Sequence, residues 1–114
     1  MIDEHLAQLF HLQAEICKTL ADPTRLLILH ELKEGEMSVG QLTSSLGIPQ
    51  SSVSRHLAVL RERDVVTTRR EGTTIFYSLA NPKIAEACAL VREVIEGHLM
   101  RSQRLAHSLE LLRK

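Results

Sequence analysis

One domain with a modest core is the natural reading of 114 residues. Hydrophobic residues make up 44% and aromatic ones only 3%, so Leu, Ile, Val and Ala must build that core, which favours helices over a β-sandwich. The formal net charge of zero argues against a general nucleic-acid binder, but the charge is unevenly spread: residues 1–49 carry 3 Lys and Arg against 7 Asp and Glu, residues 50–79 carry 5 against 3, and residues 80–114 carry 6 against 4.

No apolar run approaches the ~18 residues of a membrane span. The opening M-I-D-E-H is acidic and lacks a basic-then-apolar signal pattern. A cytoplasmic protein that makes no use of a membrane is therefore expected, with Cys17 and Cys88 reduced at rest.

Residues 3–21 read as a first helix. Leu6, Leu9, Phe10, Ile16 and Leu20 make its apolar stripe, and Cys17 sits beside it. Asp22-Pro23 is a helix start, because Asp caps and Pro is tolerated at the first helical position. The second helix runs to about Lys33 with Leu26, Leu27, Leu29 and Leu32, and Gly35 ends it. Ser38 to Gln41 fits the capping box S-x-x-Q and opens a short third helix with Leu42 and Leu46 inside. Gly47 stops that helix, and Ile48-Pro49 leads into the next.

The stretch Gln50 to Asp64 reads Q-S-S-V-S-R-H-L-A-V-L-R-E-R-D. Val53, Leu57 and Leu60 fall at i, i+4 and i+7, one apolar stripe of a helix. The other face is assigned Ser51, Ser52, Ser54, Arg55 and His56 near its start, with Arg61 and Arg63 near its end. Serines hold a helix less well than Glu or Lys, so their presence suggests that this face is read by something. A major-groove recognition helix has this form. A solvated surface helix is equally compatible with these residues alone, and the neighbours decide. Two short helices joined by a tight glycine-containing turn make a helix-turn-helix over residues 38–64.

After Asp64 the period changes from 3.6 to about 2. Val65 to Arg70 and Thr74 to Leu79 are β-branched or aromatic-rich runs separated by Glu71-Gly72-Thr73, a hairpin signal. Arg69 and Arg70 place two cations at the base of the turn. An ordinary surface hairpin would look the same. Directly behind a helix-turn-helix, residues 65–79 are read as a wing that reaches DNA phosphates or the minor groove.

Pro82 starts a last helix that runs to roughly Leu112. Ile84, Cys88, Val91, Ile95, His98, Ser102, Leu105, Leu109 and Leu112 alternate steps of four and three, a heptad-type seam. Thirty residues at ~1.5 Å each span roughly 45 Å, which outreaches so small a domain. The simplest cover is the same helix and the first helix of a second subunit. The expected fold is a mainly α winged helix-turn-helix with a small β-hairpin wing. It forms a single domain over residues 1–114, with dimerisation helices at 1–21 and 80–114. Leu9, Ile16, Val91, Ile95, Leu105 and Leu109 are the expected dimer contacts. Gln50, Ser51, Ser52, Ser54, Arg55 and His56 of the helix, with Arg69, Arg70 and Thr73 of the wing, are the expected contacts to a double-stranded DNA operator.

With these residues in hand, the chain resembles the ArsR/SmtB family of winged-helix repressors. L-A-D-P-T-R-L-L-I-L (Leu20–Leu29) resembles the family's second-helix opening. S-S-V-S-R-H-L-A-V-L-R (Ser51–Arg61) resembles its recognition helix, and R-R-E-G-T-T-I-F-Y-S-L (Arg69–Leu79) its wing. The resemblance covers roughly residues 10 to 100. It implies a homodimer, joined through its first and last helices, that binds an operator and is released by an inducer.

The family's metal sites do not carry over. Where arsenic and cadmium sensors have C-x-C, this chain reads Met37-Ser38-Val39-Gly40-Gln41. Where zinc-type sensors have D-x-H and then H-x-x-H or H-x-x-E, it reads Asn81-Pro82-Lys83 and then Val94 to Gly97. No metal and no cofactor is expected, and no inducer follows from these residues. Cys17 and Cys88 lie in the two helices that the resemblance packs together. A thiol pair there is able to form a disulfide or polysulfide link, or to take up a soft ion such as As(III). Free cysteine is also a common small core residue, and Cys88 lies on the apolar seam. His5 and His11 in the first helix and His98 and His107 in the last are the other sensory candidates, as imidazole ligands across a dimer. None of them has the spacing of a helical chelate. No phosphate loop, nucleophile elbow or paired-carboxylate pattern is present, so no enzyme is expected. The alternative in a different class is a winged helix that binds another protein and not DNA.

Overall fold

The computed structural model describes residues 2–113. Met1 and Lys114, the ends of the expected single domain, lie outside the described residues. Five helices and three strands follow in the order α1 (Glu4–Leu20), α2 (Pro23–Leu32), β1 (Met37–Ser38), α3 (Val39–Leu46), α4 (Gln50–Glu62), β2 (Val66–Glu71), β3 (Thr74–Leu79) and α5 (Lys83–Arg113). The described residues divide into two compact units, one ending at Ile84 and the other starting at Ala85. The mainly helical winged helix-turn-helix lies in the first of them.

Local chemistry sets the helix ends. Asp3 caps α1 by accepting from the Leu6 N–H. Asp22 caps α2 by accepting from the N–H groups of Thr24 and Arg25, with Pro23 in the first turn. Ser38 and Gln41 close a reciprocal capping box on α3. Gly47 ends α3 at φ 65°, a left-handed conformation that costs glycine little, and its N–H donates to the Thr43 carbonyl.

The core of the first unit is aliphatic. Ile28, Leu29 and Leu32 of α2, Leu42 of α3, Val53, Leu57 and Leu60 of α4, and Val65 and Val66 at the start of the hairpin are buried together. Leu20, Met37, Tyr77, Leu79 and Ile84 are half-buried against them. Each fully buried Leu, Ile or Val contributes roughly 1.5–3 kcal/mol of transfer free energy. The α2 helix is apolar on two sides, because Leu26 and Leu27 stay exposed while Ile28 and Leu29 are buried.

The sheet is antiparallel in the order β1-β3-β2. It departs from the sequence expectation in two ways. Glu71 pairs with Thr74, so the loop is only Gly72-Thr73, with Gly72 at φ 63°. A third strand also appears, since Met37 pairs with Tyr77 and Ser38 with Phe76. Two residues carry no readable alternation, and their partner lies far away in sequence.

The α5 helix is continuous and is started by Asn81, whose side chain accepts from the Lys83 N–H; from Ala85 onward it makes up the second unit. Its apolar residues are exposed. They include Leu90, Val94, Leu99, Met100 and Leu111 besides the seam residues Val91, Ile95, Leu105, Leu109 and Leu112. The apolar band is thus broader than a single heptad seam. Among the described residues no helix is long and apolar enough to cross a membrane.

Candidate nucleic-acid interface

Residues 47–49 join α3 to α4, a three-residue turn of helix-turn-helix length. The α4 helix presents two faces. Val53, Leu57 and Leu60 anchor the inner face at zero exposure. Gln50, Ser51, Ser54 and Arg55 lie exposed on the outer face, and Ser52 is half-buried at its edge.

The N-terminus of α4 differs from those of α1, α2 and α3. Pro49 precedes it, and no side chain caps it. Ser52 and Val53 donate to the Pro49 carbonyl, so the N–H groups of Gln50 and Ser51 and the positive end of the dipole remain available to an anion beside the serines. A DNA phosphate is such an anion, and Ser51, Ser54 and Arg55 can reach base edges from the same turn.

His56 departs from the sequence expectation. The sequence pattern places it on the outer face, but it is only 8% exposed and faces Arg25 and Asp22. The reason is angular. Val53, His56, Leu57 and Leu60 fall at i, i+3, i+4 and i+7, so His56 belongs to the anchored stripe.

The two wing arginines also part company. Arg70 is exposed near the tip of β2. Arg69 is engaged within the chain. Its Nε and Nη2 donate to the two carboxylate oxygens of Glu36 at 3.1 and 2.6 Å, and its Nη1 donates to Glu71 at 3.0 Å. The guanidinium also lies over the Phe76 ring, 4.8 Å from its centre. The hydrogen bond from Arg69 holds the Glu36 carboxyl below the usual carboxylate range. With one cation facing two carboxylates, Arg69 offers a phosphate little net attraction and instead ties the wing to the segment before β1. Thr73 is exposed in the hairpin loop. Asp22, Arg25 and Glu36 are the members of this region that sequence reading did not single out as partners. The only available signal was Asp22 and Arg25 at i and i+3.

The regulatory-protein family model "Bacterial regulatory protein, arsR family" matches residues 22–68. A Mycobacterium tuberculosis HTH-type transcriptional regulator, Rv0081, is 48% identical over 88 residues, which are 76% of this chain and 77% of that one. The chain belongs to the ArsR family. Its structure is similar to the crystal structure of the same Mycobacterium tuberculosis protein, with TM-score 0.72 and 45% identity, covering 85% of this chain and 96% of that one. It is also similar to the transcriptional repressor BigR from Xylella fastidiosa, with TM-score 0.71 and 38% identity over 82% of this chain and 96% of that one. A third similar structure is the homodimeric winged helix-turn-helix DNA-binding domain Mb0332 from Mycobacterium bovis. It has TM-score 0.75 and 34% identity over 86% of this chain and 91% of that one. As a member of the ArsR family the chain is a DNA-binding transcriptional regulator and not an enzyme.

Proposed function

We propose that this ArsR-family chain acts in the cytoplasm as a homodimeric repressor whose two α4 helices read two half-sites of a symmetric operator. The observation that carries this reading is the division of α4: Val53, Leu57 and Leu60 are buried while Gln50, Ser51, Ser54 and Arg55 are exposed above an uncapped N-terminus. Arg70 and Thr73 are the wing residues assigned to the phosphate backbone.

The dimer is supported by apolar surface. In α1, Leu6, Leu9, Phe10, Leu12 and Ile16 are exposed, and in α5 so are Val91, Ile95, Leu105 and Leu109. Apolar surface of this extent marks an interaction site. A second copy of the chain covers it with two-fold symmetry, and that symmetry gives two recognition helices.

For the signal that releases the repressor, we propose thiol chemistry at Cys17 and Cys88. Cys17 is exposed on α1 and Cys88 is half-buried in α5, so both are open to solvent in the single chain. A two-electron oxidant such as diamide would take two electrons and two protons from a pair of thiols to form one disulfide. Equal DNA affinity before and after diamide treatment would remove the cysteines from the account.

The test is enrichment of a duplex from a random-sequence library, with light scattering on the same sample. A two-fold symmetric consensus bound by a dimer is the expected result. Binding that shows no sequence preference and no salt dependence would favour a protein-binding winged helix.

A further inference from the structure

The inner face of α4 is held by three apolar anchors and one directional contact. Val53, Leu57 and Leu60 fix how deeply the helix is seated and which face points inward, and a hydrogen-bonding contact narrows its rotation further. His56 is the polar member of the face. Its Nδ1 lies 3.5 Å from Arg25 Nη1 and 3.9 Å from a carboxylate oxygen of Asp22. A guanidinium can only donate, so Nδ1 accepts from Arg25 in the tautomer that carries its proton on Nε2.

The partners of His56 are themselves pinned. Arg25 Nε donates to the Thr19 carbonyl at 2.6 Å. The Asp22 carboxylate accepts from the N–H groups of Arg25 and Thr24 at 3.1 and 2.9 Å. These bonds, that from Arg25 first, hold the Asp22 carboxyl below the usual range. The buried Thr19 hydroxyl donates to the Glu15 carbonyl at 2.9 Å. A polar chain therefore runs from the last turns of α1, through the start of α2, to the middle of α4.

We propose that His56 is a positioning residue for DNA reading: through Arg25 it fixes the rotation of α4 about its axis, and with it the aim of Arg55, relative to the α1–α2 junction. The proposal rests on the reading of α4 as the helix that meets DNA. Successive helix residues point about 100° apart, so an inward His56 sets the outward direction of Arg55. Side-chain tips stand ~6 Å from a helix axis, so a rotation of about 20° displaces them by ~2 Å. A hydrogen bond to a base edge does not survive a shift of that size.

The test compares the duplex enriched by the full-length wild-type chain with a random duplex of equal length. His56→Leu fills the space without an acceptor, and His56→Asn restores an acceptor near the position of Nδ1. His56→Leu is expected to bind the enriched duplex about tenfold more weakly and the random duplex within about twofold of wild type, because aim and not charge is lost. His56→Asn is expected to recover enriched-duplex affinity to within about threefold of wild type. Unchanged enriched-duplex affinity in His56→Leu, equal losses on both duplexes, or no recovery in His56→Asn overturns the proposal. If His56→Leu does not fold, Arg25→Lys carries the same comparison. A lysine cannot serve the Thr19 carbonyl and Nδ1 from one fixed fork, and unchanged enriched-duplex affinity in it is again the overturning result. If the wild type enriches no sequence, the reading of α4 falls on its own. Amide hydrogen exchange then decides the positioning role. Faster exchange across α4 in His56→Leu but not in His56→Asn supports it, and equal protection in the two variants overturns it.

Discussion

The helix-turn-helix and α5 use the same kinds of residue to opposite ends. In the first unit, Ile28, Leu42, Val53, Leu57 and Leu60 are completely buried. In α5, Leu90, Val91, Val94, Leu99 and Leu105 are each 60–69% exposed. The first pattern is a core that closes on itself. The second is an exposed apolar surface, which the proposed dimer covers. In the proposed dimer, folding of the first unit and association through α5 are therefore separable properties, and substitutions in the two regions should behave differently.

Leu105→Asp gives the largest expected effect. It removes two leucines per dimer, each worth roughly 1.5–3 kcal/mol, and adds two charges at the interface. Monomers by light scattering are expected, with an unfolding midpoint that no longer rises with protein concentration. A variant that stays dimeric would show that Leu105 is not part of the contact between subunits. Leu57→Ala is expected to behave oppositely. It should cost about 2–5 kcal/mol of stability in denaturant unfolding, while protein that remains folded still dimerises. A loss of less than about 1 kcal/mol would mean that the core is not closed around α4.

The two wing arginines differ in the same sense on a smaller scale, one free among the described residues and one engaged. Arg70→Ala is expected to weaken binding to all duplexes alike and to lower the slope of log affinity against log salt by roughly 0.9 per subunit, the value for one lost phosphate contact. Arg69→Ala should change that slope much less, since Glu36 and Glu71 already occupy its guanidinium. If the two variants lower the slope equally, Arg69 leaves its carboxylates on DNA binding. The smallest effect is expected at Gly47. Gly47→Ala meets no atom within 4 Å, but its φ of 65° strains any other residue. A loss of about 1 kcal/mol in denaturant unfolding is expected.

The features legible in the sequence are the local ones. Asp22, the Ser38–Gln41 box and Gly47 act within three or four residues of themselves, and each is found at its expected place. The family motifs likewise lie within continuous stretches. The features that were not legible are contacts between distant segments. Strand β1 exists because Met37 meets Tyr77, and Arg69 is tied down because the fold brings Glu36 to it. His56 is a different kind of case. Its position at i+3 from Val53 points inward, whereas its polar character points to solvent. A buried polar group is acceptable when a partner satisfies it, and Arg25, the partner in question, is 31 residues away.

If the exposed face of α4 reads DNA, Arg55→Ala must lose affinity for the enriched duplex. Arg55 is exposed on a helix whose opposite face is fully anchored. One arginine–base contact is worth roughly 1–3 kcal/mol, and the proposed dimer loses it twice. A gel shift should show a loss of at least about thirtyfold on the enriched duplex, with dimer mass and unfolding midpoint unchanged. Affinity within about twofold of wild type would contradict the account, because a side chain so placed contributes strongly wherever this face meets the major groove.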